Sequence, residues 1–291
     1  MIQTIVVCGA GTMGSGISQL ALQHGFHTVL FDREAGLLDK ARAHIGAGLA
    51  RASSKTGLDP ADIPGIMDGL HTTTDIHDAI GDIIIEAVTE RMDVKTALLG
   101  QLAEINHSDT ILATNTSSLS VTTLAEGLPH PGRVCGMHFF NPAPVMRLVE
   151  VVRTPHTRDE VAEAVISLAH ALGREPVTCL DSPGFIVNRV ARPYYLGALR
   201  LVEEDSMEPS TIDDLMESIG FRMGPFRLMD LIGNDVNLAV SRSLWEACGR
   251  PERIRPSALQ EARVSEGALG RKTGRGFYTY SEETLSGPPV A

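Results

Sequence analysis

His138 and Glu150 are the residues whose types and spacing most directly suggest chemistry. His138 closes the apolar run Val134–His138, Asn141-Pro142-Ala143-Pro144 must turn, and Glu150 sits inside the next apolar run, Leu148–Val152. A strand–turn–strand unit of this length can bring the carboxylate beside the imidazole. Such a pair suits hydride transfer, because the imidazole takes a hydroxyl proton while hydride leaves the same carbon. The carboxylate then fixes the tautomer and stabilises the imidazolium. Spacing alone leans toward a plainer reading, a core histidine beside an edge-strand acid.

A second feature stands at the start of the chain. Gly9-Ala10-Gly11-Thr12-Met13-Gly14 has the pattern G-x-G-x-x-G between an apolar run, Ile5–Cys8, and a helix-like stretch. In that context Gly9 permits a tight turn, Gly11 lets backbone approach a pyrophosphate, and Gly14 lets helix and strand pack closely. The helix start then offers free N–H groups and a positive dipole end to phosphates. Asp32 ends the second strand-like run, 21 residues past Gly11, where an acid binds the adenosine ribose hydroxyls. A carboxylate there favours NAD over NADP, although Arg33 beside it leaves NADP open. The alternative is a tight turn without a ligand.

These residues need a scaffold, and the first 180 or so residues alternate strand-like and helix-like segments. Strands are predicted at Ile5–Cys8, Thr28–Phe31, Ile83–Ile85, Ile111–Ala113, Val134–His138, Leu148–Val152 and 176–180. Helices are predicted at Gly14–His24, 34–52, 92–105 and 158–172. Short apolar runs separated by helices predict an α/β fold, a Rossmann-type doubly wound sheet with helices on both faces. The character changes at Asp181-Ser182-Pro183-Gly184, a turn cluster. Beyond it only helical periods follow, at 185–204, 210–219, 225–248 and 257–267. We therefore expect a nucleotide-binding domain over 1–182 and an all-helical C-terminal domain over 183–291. The Ser/Gly/Pro-rich end, Ser281 to Ala291, reads as a loose tail.

The totals limit the function classes. With 291 residues, 43% hydrophobic and 21% charged, the chain is long enough to build sizeable cores without disulfide or metal staples. A net charge of −11 argues against nucleic acid and anionic membrane as partners. No apolar run is long enough to span a bilayer. Cys8, Cys135, Cys179 and Cys248 show neither C-x-x-C nor zinc-finger spacing, so we expect buried thiols and no metal. Met1 runs straight into a strand, which leads us to expect no leader and a cytoplasmic location.

Several motifs together resemble one family, the L-3-hydroxyacyl-CoA dehydrogenases, and within it the stand-alone bacterial 3-hydroxybutyryl-CoA dehydrogenases. The resemblance covers nearly the whole chain. Besides Gly9–Gly14 and His138-Phe139-Phe140-Asn141-Pro142, it rests on Glu86-Ala87-Val88-Thr89-Glu90 and Asn115-Thr116-Ser117-Ser118-Leu119. Further along it includes Pro183-Gly184-Phe185-Ile186-Val187-Asn188-Arg189, Met223-Gly224-Pro225-Phe226 and Lys272-Thr273-Gly274-Arg275-Gly276-Phe277-Tyr278. It implies an NAD-dependent oxidation of a (3S)-3-hydroxyacyl-CoA, with short chains such as 3-hydroxybutyryl-CoA. It reverses the balance on His138, making it the catalytic base and Glu150 its partner. It further implies that Ser117 and Asn188 contact the substrate oxygens, and that Glu90, Lys95, Ser117 and Asn141 contact nicotinamide and ribose. Lys272 matches a lysine of the C-terminal glycine motif, and we expect it to touch the cofactor. A homodimer through the helical domain is also implied.

Each of these residues has a plainer reading. Ser117 fits a helix N-cap for Leu119–Ala125. Asn188 fits a solvated helix position, although asparagine is a poor helix former and a polar task would explain it. Glu90 and Lys95 fit an ordinary first-turn acid with a nearby lysine, and Lys272 a solvated turn. For the CoA phosphates, residues 33–55 hold Arg33, Lys40, Arg42, Arg51 and Lys55 against only Glu34 and Asp39. Arg51 and Lys55 share a helix face, and Lys55 matches a lysine used in relatives. A solvated charged face is the alternative there. Gly48 stands where some relatives have a serine contact. Three competing functions use similar motifs: a 3-hydroxyadipyl-CoA dehydrogenase, with Arg147 or Arg192 as candidates for a distal carboxylate, a dehydrogenase of free hydroxy or sugar acids, and a non-catalytic nucleotide-binding protein.

Overall fold

The computed structural model describes residues 2–56, 58–204 and 207–281, apart from the side chains of 54–56. The chain forms two compact units, Met1–Phe185 and Ile186–Ala291.

The first unit is built on one eight-stranded sheet, ordered β3-β2-β1-β4-β5-β6-β7-β8. The strands are β1 (Thr4–Cys8), β2 (His27–Phe31), β3 (Leu70–Thr73), β4 (Ile83–Glu86), β5 (Ile111–Thr114), β6 (Val134–Phe139), β7 (Leu148–Arg153) and β8 (Glu175–Leu180). Every pair from β3 to β6 is parallel. β7 turns back antiparallel to β6, and β8 follows β7 in parallel.

Side chains alternate between the two faces of a strand, so an apolar run with both faces buried feeds two cores. Ile5, Val7, Ile83 and Ile85 join one core with α1 (Thr12–Gln23), α2 (Ala35–Thr56) and α6 (Asp159–Ala171). Val6, Cys8, Ile84 and Leu112 join the other with α4 (Met92–Ile105) and α5 (Val121–Glu126). Strand order reverses between β1 and β4, on either side of the glycine loop. In open α/β sheets, ligands bind outside the carboxyl ends of the strands at such a switch point. Between α2 and β3 lies the short helix α3 (Ile63–Asp68). Neither α3 nor β3 follows from the sequence pattern.

The second unit is helical in its described residues: α7 (Val187–Glu203), α8 (Pro209–Ser218), α9 (Pro225–Ile232), α10 (Asn234–Ala247) and α11 (Ala258–Ser265). Tyr195, Leu196, Leu199, Phe226, Met229 and Leu244 belong to its own core. The single helix expected over 225–248 is two helices. They break at Gly233, whose φ of 105° is a conformation that side-chain-bearing residues rarely adopt. Residues 277–280 are tied to the helices by the buried carboxylate of Asp230, which accepts from Phe277 N, Tyr278 N and the Tyr280 hydroxyl. The tail expected from Ser281 onward lies outside the described residues from 282.

Candidate active site

The glycine loop shows why each glycine is needed. Gly9 has φ 104°, and a Cβ there would meet Ala87 O at 2.7 Å. A Cβ on Gly14 would lie 1.7 Å from Gly9 O, so the turn and the helix approach too closely for any side chain. Gly11 differs, because nothing lies within 4 Å of its Cβ position. It is the N-cap of α1 and offers no side-chain cap to the first N–H groups. Asp32 follows β2 and accepts from Ala10 N through Oδ2 at 2.7 Å and from Glu34 N through Oδ1 at 3.1 Å. The acid expected to meet a ribose therefore already holds the loop expected to meet the phosphates.

His138 and Glu150 are register partners across the antiparallel β6–β7 pair. Directly opposed residues share a face with Cβ atoms about 5 Å apart. Nδ1 of His138 lies 2.7 Å from Glu150 Oε2, with the histidine 5% exposed and the glutamate fully buried. An ionised carboxylate only accepts, so Nδ1 carries the proton and Nε2 is left basic. The ring sits against Phe140, with centroids 4.5 Å apart, and Phe185, at 5.8 Å. Phe185 holds a left-handed φ of 47°, uncommon for a bulky residue, at the end of the first unit.

The loop after β5 carries Ser117. It is not a helix cap: α5 starts later, and Ser120 caps it by accepting from Thr123 N. Ser117 N and Ser118 N donate instead to Glu90 Oε1, at 3.0 and 3.2 Å. The Thr116 and Ser118 hydroxyls donate to the same oxygen. Burial works against the charge on Glu90, but Lys95 and these donors outweigh it and hold the carboxyl below its usual range. Lys95 is buried and pairs with Glu86 at 2.7 Å and Glu90 at 3.2 Å. Asn141 is exposed at the turn between β6 and β7.

Two contributors did not emerge from the sequence as site residues. Asn115 Oδ1 accepts from Phe139 N at 2.8 Å, anchoring the backbone next to His138. Glu86 ends β4, and its signal was an acid closing the run Ile83-Ile84-Ile85.

Asn188 and Lys272 belong to the second unit. Asn188 lies in the first turn of α7, where its carbonyl accepts from Arg192 Nε at 3.1 Å. The Lys272 ammonium is held by both oxygens of Asp235, at 2.6 and 2.7 Å. Lys272 thus has a carboxylate partner within its own unit. Arg192 is buried and donates to Asn237 and Ser241. Arg147 is exposed and paired with Glu175.

On α2, Arg42 reaches Leu70 O at 3.4 Å and Arg51 is exposed, while the Lys55 side chain lies outside the described residues. A Cβ on Gly48 would fall 2.1 Å from Gln19 Oε1, so a serine there would require Gln19 to move. Among the described residues no group of His, Cys, Asp or Glu could hold a metal ion. No described helix is long and apolar enough to cross a membrane. Burial pushes the thiol of Cys135 up to about 12 and that of Cys8 higher still, with Glu86 and Asp32 adding to the shift at Cys8.

Comparison with known proteins agrees with this geometry. Residues 4–182 match the family model of the 3-hydroxyacyl-CoA dehydrogenase NAD-binding domain, and residues 184–280 match that of the C-terminal domain. A 3-hydroxyadipyl-CoA dehydrogenase of Escherichia coli is 46% identical over 97% of this chain, which spans only 60% of that longer protein. A Deinococcus radiodurans protein named "Probable 3-hydroxybutyryl-CoA dehydrogenase" is 42% identical over 94% of this chain and 99% of its own length. The crystal structure of an (S)-3-hydroxybutyryl-CoA dehydrogenase from Ralstonia eutropha superposes with a TM-score of 0.92 at 39% identity, covering 97% of this chain and all of that one. With a glycine loop held by Asp32 at the switch point of the sheet and a buried histidine–carboxylate pair in register across β6 and β7, the chain belongs to the 3-hydroxyacyl-CoA dehydrogenase family.

Proposed function

We propose that this chain oxidises (3S)-3-hydroxyacyl-CoA thioesters with short acyl chains to 3-ketoacyl-CoA. The carrying observation is the His138–Glu150 pair, 2.7 Å apart in register across β6 and β7. His138 Nε2 takes the C3 hydroxyl proton as the C3–H bond breaks and its electron pair leaves with the hydrogen. Glu150 stabilises the imidazolium that results. Ser117 and Asn188 hold the reacting oxygens, so developing charge meets fixed donors. Gly9–Gly14, Asp32, Glu90 and Asn141 hold NAD, and the open room at Gly11 fits a pyrophosphate. When bound, NAD supplies the acceptor for the hydride. The Asp32 carboxylate repels a 2′-phosphate. The basic face of α2, with Lys55, meets the CoA phosphates.

The test is NADH consumption with acetoacetyl-CoA, set against NADPH and against free acetoacetate. Loss of NADH with the thioester alone supports reaction, cofactor and CoA dependence together. Turnover of the free acid would overturn the thioester reading.

One observation favours a second acyl class. The helical unit contains an apolar cavity of about 560 Å³, lined by Val187, Val190, Ala191, Tyr194 and Leu231 among others, with Arg222 its one charged lining residue. An acyl tail ending in a carboxylate suits that lining, and the Escherichia coli relative is named for such a substrate. Higher kcat/KM with 3-oxoadipyl-CoA than with acetoacetyl-CoA would select this class. A homodimer through the helical unit completes the proposal. Leu215, Ile219 and Val236, away from the cavity lining, are exposed there, and light scattering should give twice the chain mass of 31.2 kDa.

A further inference from the structure

The apolar run of β4 ends on a fully buried carboxylate. Glu86 lies between Cys8 of β1 and Thr114 of β5 in the sheet, at the carboxyl edge where the ligand is expected. A buried charge persists only where it is paired and hydrogen-bonded. Its Oε1 accepts from Lys95 Nζ and from Val88 N, both at 2.7 Å, and its Oε2 accepts from the Thr114 hydroxyl at 2.6 Å.

Lys95 is 1% exposed, and its ammonium also donates to Val88 O at 3.4 Å and lies 3.2 Å from Glu90 Oε2. An ammonium has three donors. Glu86 and Val88 accept two of them, and Glu90 stands within ion-pair distance. The other oxygen of Glu90 collects the hydroxyls of Thr116 and Ser118 and the amides of Ser117 and Ser118. Glu86, Lys95 and Glu90 thus form one connected line from the sheet interior to the backbone that carries Ser117.

We propose that Glu86 is a positioning residue: through Lys95 it sets the orientation of Glu90 and thereby the conformation of the loop at Ser117. The inference rests on the reading that Ser117 contacts a reacting oxygen. Its physical basis is that one ammonium lies between two carboxylates. With Glu86 in place, Lys95 is held toward the sheet and takes only Oε2 of Glu90, which leaves Oε1 to the loop. With the charge at 86 removed, Lys95 loses its anchor in the sheet, and with Lys95 removed Glu90 Oε2 loses its charged partner; either change leaves Glu90 able to turn away from the loop donors.

Glu86→Gln keeps the side-chain volume and removes the charge. Hydrogen exchange of the Ser117 and Ser118 amides should quicken in this variant, while amides of β1 and β2 keep their protection. With acetoacetyl-CoA and NADH, kcat should fall about ten- to hundred-fold, the scale of a small misplacement at a reacting centre, with both KM values within about twofold of wild type. Lys95→Met should show the same pattern, and the double variant should be no worse than Lys95→Met alone. Unchanged exchange at Ser117 and Ser118 in folded Glu86→Gln overturns the proposal, as do losses that simply add. If Glu86→Gln does not fold, the exchange reading on Lys95→Met decides in the same way. A wild-type protein without acyl-CoA turnover would overturn the proposed function, and the exchange measurement would still decide the positioning role.

Discussion

Facing a carboxylate that only accepts, His138 keeps a proton on Nδ1 and leaves Nε2 as an acceptor. His138→Gln keeps a polar side chain but has no titratable base. Turnover should fall about 10²- to 10⁴-fold while NADH binding, followed by fluorescence titration, persists. Glu150→Gln is the more informative change. An amide at 150 can donate to Nδ1, which moves the imidazole proton to Nε2, the wrong nitrogen for a base. We expect a kcat loss on the order of 10²- to 10⁴-fold and a displaced pH profile. An unaltered profile would mean that the glutamate does not tune the histidine. Glu90 predicts a different pH effect. Its folded-state carboxyl lies below the ordinary value of 4.5, so its contribution to stability is present above that value and is lost as pH falls through the lower, folded one. Melting temperatures measured from neutral pH downward should drop more steeply on the acid limb in wild type than in Glu90→Gln. The contact of His138 with Glu150 was readable from the strand–turn–strand unit, but spacing alone leaned toward a core histidine beside an edge-strand acid, and only the resemblance pointed to a catalytic pair. Glu86, Lys95 and Glu90 were visible one at a time, but their connection depends on β4 lying beside β5, which is a fact of sheet order.

At the scale of elements, the turn from β1 into α1 separates two uses of glycine. Gly14→Ala forces a methyl against Gly9 O and should destabilise the first unit by about 1–3 kcal/mol, read as a lower melting temperature. Gly11→Ala has space within the protein and an ordinary φ of −72°. It should cost at most about 1 kcal/mol as a poorer N-cap, yet weaken NAD binding because the methyl stands where the phosphates approach. If both variants lose stability alike, the division of roles is wrong. The β6–β7 pair gives a second test. One residue inserted between Val149 and Glu150 turns the carboxylate to the opposite face of the sheet and should abolish turnover. One inserted after exposed Val145, in the connecting turn, should spare most of it. Strands rich in Val and Ile were legible because both faces are buried. β3, Leu-His-Thr-Thr, was not: it lies at the sheet edge with a mixed burial pattern, and polar edge strands resemble loops. The break between α9 and α10 was hidden because apolar helical spacing continues across Gly233, and only its backbone angle ends the helix.

For the whole molecule, the separation of the cores is the governing fact. The two cores on either side of the sheet draw on residues up to Phe185, and the helical core begins at Tyr195. Residues 1–185 expressed alone should therefore fold cooperatively and bind NADH, and should show no turnover without Asn188. Circular dichroism melts and fluorescence titration check both points, and an unfolded fragment would mean that the first unit depends on the second for stability. Each half also carries its own buried, hydrogen-bonded carboxylate: Glu86 in the sheet accepts from one backbone amide, Val88 N, and Asp230 among the helices from two, Phe277 N and Tyr278 N. Independent cores have a consequence for descent. Substitutions that reshape the apolar cavity of the helical half fall on a different stability margin from those that keep the nucleotide seat intact. On the proposed reading, in which that cavity takes the acyl tail, a lineage can explore new tails by drift in one half while the other keeps its nucleotide seat unchanged.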